Sequence, residues 1–137
     1  MLRQRDEPYR NEKLTRLAQD KPCLVPRNNE RVIWTHPRSS VVWAHSNLYN
    51  HGKGGARKAH DCFGFFACHQ CHSMIDQGKL LMRDERRSLQ VEAMRATRVF
   101  LLKQRLVALD PHTPDFDIED DERWLEAWRT GALRVAP

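Results

Sequence analysis

Residues 67–76 read ACHQCHSMID, and this stretch carries the sharpest structural signal in the chain. Cys68 and Cys71 are three positions apart, a spacing at which a tight turn can direct both thiolates toward one metal ion. Zinc takes four such ligands in a tetrahedron, so this pair supplies half of a site. We therefore predict a structural zinc site at Cys68 and Cys71 that is completed by residues from elsewhere in the chain.

The other two zinc ligands have to come from the remaining cysteines and histidines. Cys23 is the preferred third ligand, because it follows Lys21-Pro22 in a predicted turn. Three residues compete for the fourth position: His36, His60 and Cys62. His36 is slightly favoured, since it also lies in a turn after Cys23. An ordinary buried thiol is the alternative interpretation of Cys23 and of Cys62.

Histidine, cysteine and basic residues are concentrated in one part of the chain. The window 36–72 holds six of the seven histidines, three of the four cysteines and four basic residues, but one carboxylate, Asp61. The whole chain carries 23 Lys and Arg against 18 Asp and Glu, a formal net charge of +5. This charge is compatible with a nucleic acid partner, although many proteins without one carry as much.

The length and the apolar content limit the class of protein. A chain of 137 residues fits one domain, or one domain with an extension. No apolar run approaches the roughly 20 residues of a membrane span. The N-terminus, MLRQRDEPYR, lacks the apolar segment of a secretory signal. We therefore expect no membrane association and a cytoplasmic location, where reduced thiols are free to bind metal.

Local sequence patterns predict an α+β chain. The predicted helices cover residues 9–20, about 71–78, from 84 or 88 to 109, and about 119–130. The predicted strands cover residues 31–35, 40–45 and 63–67, with the first two forming a hairpin, and residues 46–60 form a long loop. The expected buried helix residues are Val99, Leu102, Leu106, Leu109, Trp124, Leu125 and Trp128, with Gly131 ending the last helix.

Two segments of the C-terminal half have unbalanced charge. Residues 79–109 contain eight bases and three acids, which could extend a DNA-binding surface but are more simply the solvated face of a helix. Residues 115–122 read DFDIEDDE and contain six acids and no base. We expect the acidic segment to be a solvated linker.

A second group of residues has the composition of a hydrolytic site. The apolar run 41–45 ends on His45, while His72 and Asp76 are four positions apart and share one face of the predicted helix. An imidazole and a carboxylate on one face can hold a divalent cation. His45 could face them as a general base. The plainer alternatives are a hydrogen-bonded histidine at a strand end and a solvated aspartate.

Taken together, Ala44-His45, the loop GKGG at 52–55 and the stretch 67–76 resemble the HNH superfamily of nucleases, also called His-Me finger or ββα-metal nucleases. More narrowly, residues 21–78 are similar to the small prophage-encoded nucleases of the YbcO-like family. The resemblance implies a treble-clef-like, zinc-containing ββα-metal core at 21–78. An N-terminal helical segment (1–20) would precede it, and a C-terminal helical extension with an acidic linker (79–137) would follow.

The resemblance also implies a function, namely metal-dependent endonuclease hydrolysis of phosphodiester bonds in DNA during phage or prophage DNA processing or recombination. It implies His45 as the general base, His72 as a ligand of the catalytic metal, and Asp61 as the nearest match to the middle residue of the motif. Asp76 would join His72 on a catalytic ion such as Mg²⁺, Mn²⁺ or Ni²⁺. The structural Zn²⁺ would be held by Cys23, Cys68 and Cys71, with His36 as the favoured fourth ligand.

The same resemblance implies partners for the chain. DNA would be the main partner, with Lys53, Arg57 and Lys58 holding the phosphates that flank the cut. A phage or host recombination protein is a further candidate partner, and the location would be the cytoplasm of a bacterial host.

Two departures from the family pattern keep an alternative open. Arg31 stands where the family usually has a second cysteine, and Ala44 stands where many HNH enzymes have an acidic or histidine metal ligand. The alternative is a zinc-stabilised DNA-binding or interaction module without catalysis.

Overall fold

The α+β class is confirmed by the computed structural model, which describes residues 7–27, 33–53, 58–77 and 80–137, except for the side chain of Tyr49. Its helices are α1 (Glu12–Thr15), α2 (His69–Asp76), α3 (Arg83–Lys103) and α4 (Asp121–Thr130). Its strands are β1 (Val42–His45), β2 (Gly64–Ala67), β3 (Val107–Leu109) and β4 (Leu133–Val135). Short 3-10 turns cover Arg16–Ala18, Arg38–Ser40 and Tyr49–His51.

The antiparallel pair of β1 and β2 positions the candidate site. Trp43 lies opposite Phe66, and His45 lies opposite Gly64. Gly64 is required by close approach, because a Cβ atom there would collide with the Trp43 indole. The predicted strand 63–67 is therefore confirmed as β2, and it is buried throughout.

The predicted hairpin between residues 31–35 and 40–45 was wrong. β1 begins only at Val42 and pairs with β2, which lies about twenty positions further along the chain. Residues 33–35 form no strand, residues 38–40 form a 3-10 turn, and residues 31 and 32 lie outside the described part of the chain. β1 pairs with β2 because the fully buried residues of β2 cover the inner face of β1. Trp43 packs edge-on against Phe66, with 5.8 Å between the ring centroids.

Helix α2 follows β2 with only Cys68 between them, so one tight connection carries the chain from strand to helix. The helix begins at His69, two residues before the predicted start at Cys71. Its inner face buries Cys71, Met74 and Ile75. Residues 78 and 79, at the predicted end of this helix, lie outside the described part of the chain.

The longest helix, α3, ends earlier and buries a different face than predicted. It stops at Lys103, because Arg105 adopts a left-handed conformation with φ of 58°. Residues 107–109, predicted as helix, instead form β3 and pair with β4. The buried residues of α3 are Leu89, Gln90, Ala93, Met94, Thr97, Arg98 and Leu101, whereas Val99 is 49% exposed. Polar residues occupy this face because they have specific buried partners.

The two remaining helices differ from their predictions mainly in extent. The first is shorter than the predicted 9–20, since α1 starts after its cap Asn11 and the following 3-10 turn ends at Ala18. The last, α4, starts at Asp121 and buries Trp124 and Trp128 as predicted, while Leu125 is only partly buried. Gly131 ends α4 with φ of +85°, which confirms its predicted role.

The acidic segment 115–122 does not behave as a solvated linker at its C-terminal end. Asp120 caps α4 by accepting a hydrogen bond from the Arg123 backbone N–H. Asp121 forms an ion pair with Arg98 and a hydrogen bond with the ring of His51. The physical reason is that the buried Arg98 guanidinium requires a compensating carboxylate.

Buried residues from all three predicted segments belong to one hydrophobic core, among them Leu14, Phe66, Trp124 and Leu133. The segment boundaries at 20 and 78 stay a prediction. None of the helices in the described ranges is long and apolar enough to cross a membrane.

Candidate metal centre and active site

Four side chains converge on one point beside the start of α2. Donor atoms of Cys23, His36, Cys68 and Cys71 all lie within 4.8 Å of one another. His36 Nδ1 lies 3.3 Å from Cys68 Sγ and 3.3 Å from Cys71 Sγ. Neighbouring donors of a tetrahedral zinc ion lie roughly 3.5 Å apart, given metal–ligand bonds of about 2.0–2.3 Å. The donor set therefore fits a structural metal such as zinc, and its members are the four residues that the sequence analysis selected.

The fold explains how distant residues reach this point. Cys68 is the N-cap of α2 and Cys71 lies in its first turn. The segment that carries Cys23 is attached to β2 by a hydrogen bond of 2.9 Å from the Leu24 N–H to the Phe66 carbonyl. His36 lies just before the 3-10 turn Arg38–Ser40. This turn is attached to the start of α2, because the Ser40 hydroxyl accepts a 3.4 Å hydrogen bond from the His69 N–H.

The protonation of the four-residue cluster suits a cation. A hydrogen bond from the Cys71 thiol is the main cause that lowers the pKa of Cys23 to about 4, with smaller contributions from the Cys68 backbone and His36. The pKa of Cys71 is raised, because its thiol proton is held by Cys23 and because burial disfavours a second negative charge. The thiolate is the form that binds metal, and a divalent cation would compensate the second charge.

The two competing ligands lie elsewhere. His60 Nδ1 accepts a hydrogen bond of 2.9 Å from the Tyr9 N–H. Cys62 is buried, its carbonyl accepts a bond from the Trp124 indole, and burial raises the pKa of its thiol. Among the described residues, Cys23, His36, Cys68 and Cys71 make up the one group of three or more metal-binding side chains.

His45 is held at the end of β1 by a carboxylate. Its Nε2 lies 2.9 Å from Asp61 Oδ1. Asp61 is itself fixed, since its Oδ2 accepts a 2.6 Å bond from the Asn11 N–H and Arg10 lies 3.4 Å from its Oδ1. A carboxylate oxygen accepts hydrogen bonds, so Nε2 donates to Oδ1, and in the neutral form of the ring Nδ1 carries the lone pair. The His45 side chain is 23% exposed, which leaves the imidazole open to water.

His72 and Asp76 lie one turn apart on α2, with Asp76 exposed and His72 half-buried. Burial is the main cause that lowers the pKa of His72; the charge of Asp76 raises this pKa, while His69 and His45 lower it further. His72 is thus close enough to both His45 and Asp76 to interact with each of them electrostatically. These two α2 side chains offer two ligand atoms, and no described third donor joins them.

The predicted phosphate-binding lysines lie on the loop between β1 and β2. Lys58 is exposed and Lys53 is partly exposed, and the Lys58 carbonyl accepts a 3.2 Å bond from Arg10. Arg57 lies outside the described part of the chain. The phosphate-binding role of all three stays a prediction.

The sequence analysis missed a buried polar chain next to the candidate active site. His51 Nδ1 lies 2.7 Å from Ser46 Oγ, and His51 Nε2 lies 2.7 Å from Asp121 Oδ2. Arg98 donates a 2.8 Å bond to the other oxygen of Asp121. The bond from His51 is the main cause that lowers the pKa of Asp121 to about 2. We refer to Ser46, His51, Arg98 and Asp121 as the buried polar chain.

The buried polar chain has the residue types of a hydrolase triad but not the exposure. Ser46 and His51 are each 1% exposed, and the Ser46 hydroxyl also accepts a bond from the Leu48 N–H. A nucleophile needs access to its substrate, and these buried residues lack it. Their hydrogen bonds instead anchor α4 to the loop after His45. No local sequence signal points to them, because His51 and Asp121 are 70 positions apart.

Comparisons with models of protein families, with curated proteins and with solved structures found no match to this chain.

Proposed function

We propose that the chain is a metal-dependent endonuclease of the HNH type that hydrolyses phosphodiester bonds in DNA. In this proposal His45 is the general base, Asp61 positions it, and His72 with Asp76 holds the catalytic divalent metal. Cys23, His36, Cys68 and Cys71 hold a structural zinc ion. The ββα-metal family assignment is part of the same proposal, and it is supported by the chain order β1, loop, β2, α2.

The hydrogen bond between His45 Nε2 and Asp61 Oδ1 is the observation that carries the proposal. In the neutral form of the ring, this bond leaves Nδ1 with the lone pair that a general base needs. Within the described residues, no hydrogen bond is found at Nδ1, and the ring is partly open to water.

The proposed reaction is a single displacement at phosphorus. His45 Nδ1 takes a proton from a water molecule, the resulting hydroxide bonds to phosphorus, and the bond from phosphorus to the leaving oxygen breaks. The leaving oxygen then takes a proton from solvent. A divalent cation supplies polarisation of the phosphate and stabilises the charge on the leaving oxygen. His72 and Asp76 are the α2 side chains suited to hold it, because they share one face of the helix.

The first test is plasmid nicking by the zinc-loaded protein with added Mg²⁺, Mn²⁺ or Ni²⁺. We expect nicking to require the added metal and to fall by about 10²–10⁴-fold in His45→Ala, since a general base contributes about that much. His112→Ala is the matched control, because this exposed histidine lies in the C-terminal half. Nicking by His45→Ala at the wild-type rate would contradict the proposed role of His45.

The second test separates the proposed catalytic metal from the structural zinc. His72→Ala should lose nicking while its zinc content and its melting temperature stay near wild type. His69→Ala is the control on the same helix, because His69 is exposed and outside the four-residue cluster. Loss of zinc in His72→Ala, or equal loss of nicking in both variants, would remove His72 from the proposed metal site.

A zinc-stabilised DNA-binding module is the second candidate, and one observation favours it. His72 and Asp76 supply only two described donors, so the proposed catalytic ion depends on water and substrate for its other ligands. This candidate predicts salt-sensitive DNA binding without nicking under any of the three added metals.

A further inference from the structure

The first two turns of α3 carry a stripe of arginines that leads along the helix to the buried residue Gln90. Arg83, Arg86, Arg87 and Gln90 have the spacing i, i+3, i+4 and i+7, which places them on one face of the helix. Gln90 fixes the direction of that face, because it is buried and joined to Asn47 by bonds of 2.6 Å and 3.1 Å.

These arginines line a groove of about 450 Å³ between α3, α2 and the loop after β1. The other lining residues are Asn47, Leu48, Ile75, Asp84 and Gln90. Three guanidinium groups therefore face one carboxylate, that of Asp84. We refer to this feature as the arginine groove.

The arginine groove has an excess of positive charge, with three guanidinium groups to one carboxylate. In the described ranges, no ion pair reaches Arg83, Arg86 or Arg87. Further along the same helix, Arg95 pairs with Glu119 and Arg98 pairs with Asp121. Arg86 Nε is also buried without a hydrogen-bond partner among the described residues.

The arginine groove adjoins the proposed active site. Asn47 is two residues beyond His45, and Ile75 is the neighbour of Asp76 on α2. An extended polyanion bound in the groove would therefore pass directly to the region of His45 and His72.

We propose that the arginine groove binds the phosphodiester backbone of the nucleic acid strand next to the cleavage point. The part of this inference that places the strand next to a cleavage point rests on the proposed nuclease function. The binding of phosphate is argued from the groove alone. Guanidinium groups suit this task, because they bind phosphate oxygens through paired hydrogen bonds. Contacts of this kind position a strand without reading its sequence.

The test measures DNA binding of Arg83→Gln/Arg87→Gln by fluorescence anisotropy over a range of salt concentrations. Both side chains are exposed, so the fold should tolerate the exchange. The probes are a labelled 30-base-pair DNA duplex and a single strand of the same length, and the His45→Ala background keeps them intact. Arg123→Gln/Arg134→Gln is the control, since it removes the same charge from exposed residues on α4 and β4.

We expect the groove variant to bind at least one probe roughly tenfold more weakly, with the slope of log affinity against log salt reduced by about 1–2. The control should change the slope much less. Equal effects of the two double variants on both probes would overturn the inference. A wild-type protein that binds through the arginines but never nicks DNA would leave the groove in place and refute the nuclease proposal. If the wild-type protein nicks DNA and the groove variant binds DNA with unaltered affinity, the nuclease proposal stands and the groove inference is refuted.

Discussion

Asp61 connects a candidate catalytic residue to a part of the chain that the family resemblance does not include. Its two oxygens reach His45 on one side and the Asn11 N–H on the other. Arg10 binds next to it, through a 2.7 Å bond to the Ala59 carbonyl. The start of α1 therefore helps to orient the imidazole at the end of β1.

Asp61→Asn tests whether Asp61 positions the proposed base. An amide has one oxygen for the three N–H donors of Asn11, Arg10 and His45 that now bond to Asp61, so the imidazole of His45 loses a fixed tautomer. We expect kcat for DNA nicking to fall about 10–100-fold with KM nearly unchanged. Arg10→Gln, which leaves the carboxylate in place, should reduce kcat much less. A rise in KM with kcat intact would instead indicate a role in binding or folding.

The chemistry of single residues accounts for what could be read from the sequence. Two cysteines three positions apart form a typical metal-binding pattern with a strong local signal, so Cys23 and His36 could be proposed as partners of Cys68 and Cys71 without knowledge of the fold. Arg98 and His51 have many roles, and their pairing with Asp121 depends on a contact across the core. Such contacts have no local signature, so the buried polar chain could not be predicted.

For helices and strands, too, local patterns could be predicted from the sequence, whereas contacts with distant elements could not. β2, α2 and α4 were found because each has a strong local pattern, such as the apolar run before Cys68 or the glycine after Thr130. The predictions of the partner of β1 and of the inner face of α3 were wrong, because both depend on which distant element supplies the contacts. Gln90, Thr97 and Arg98 lie on the buried face of α3 because Asn47, Phe66 and Asp121 meet them there.

The attachment of α4 through Asp121 predicts a pH dependence of stability. The pKa of Asp121 is lowered to about 2 from an ordinary 3.8, so the stabilisation is present above about pH 4 and is lost as the pH falls toward 2. At pH 7 Asp121→Asn should lower Tm by about 4–10 °C, because it deprives buried Arg98 and His51 of their carboxylate. The Tm difference from wild type should shrink between pH 4 and pH 2.

Asp117→Asn is the control for the Asp121 prediction. Asp117 belongs to the same acidic run but is exposed, and asparagine can still accept the bond from the Glu119 N–H. Its Tm should follow that of wild type at every pH. A constant Tm difference for Asp121→Asn down to pH 2 would show that packing, and not charge, attaches α4.

Across the molecule, the four-residue cluster joins three separate regions, namely the segment after α1, the turn before β1 and the start of α2. A metal ion held there would restrain the chain from residue 23 to residue 71. Cys71→Ala should therefore lose its bound zinc, about one ion per chain, and should unfold at a markedly lower temperature.

Cys62→Ala provides the matched control for the zinc prediction, measured by elemental analysis and thermal unfolding. Cys62 is as deeply buried as Cys71 but lies outside the cluster. We expect this variant to keep its zinc and to lose only the small stability of one buried sulfur. Equal zinc content in Cys71→Ala and Cys62→Ala would rule out the proposed site.

The spread of the buried polar chain along the sequence has a consequence for biosynthesis. The candidate zinc ligands are complete once Cys71 has left the ribosome, whereas the partner of His51, Asp121, follows much later in the chain. A ribosome-bound chain can therefore load metal and pair β1 with β2 before the loop after His45 is anchored. The loop after His45 would be anchored only once α4 has been synthesised, so a chain truncated before α4 would bind metal while this loop lacks its anchor.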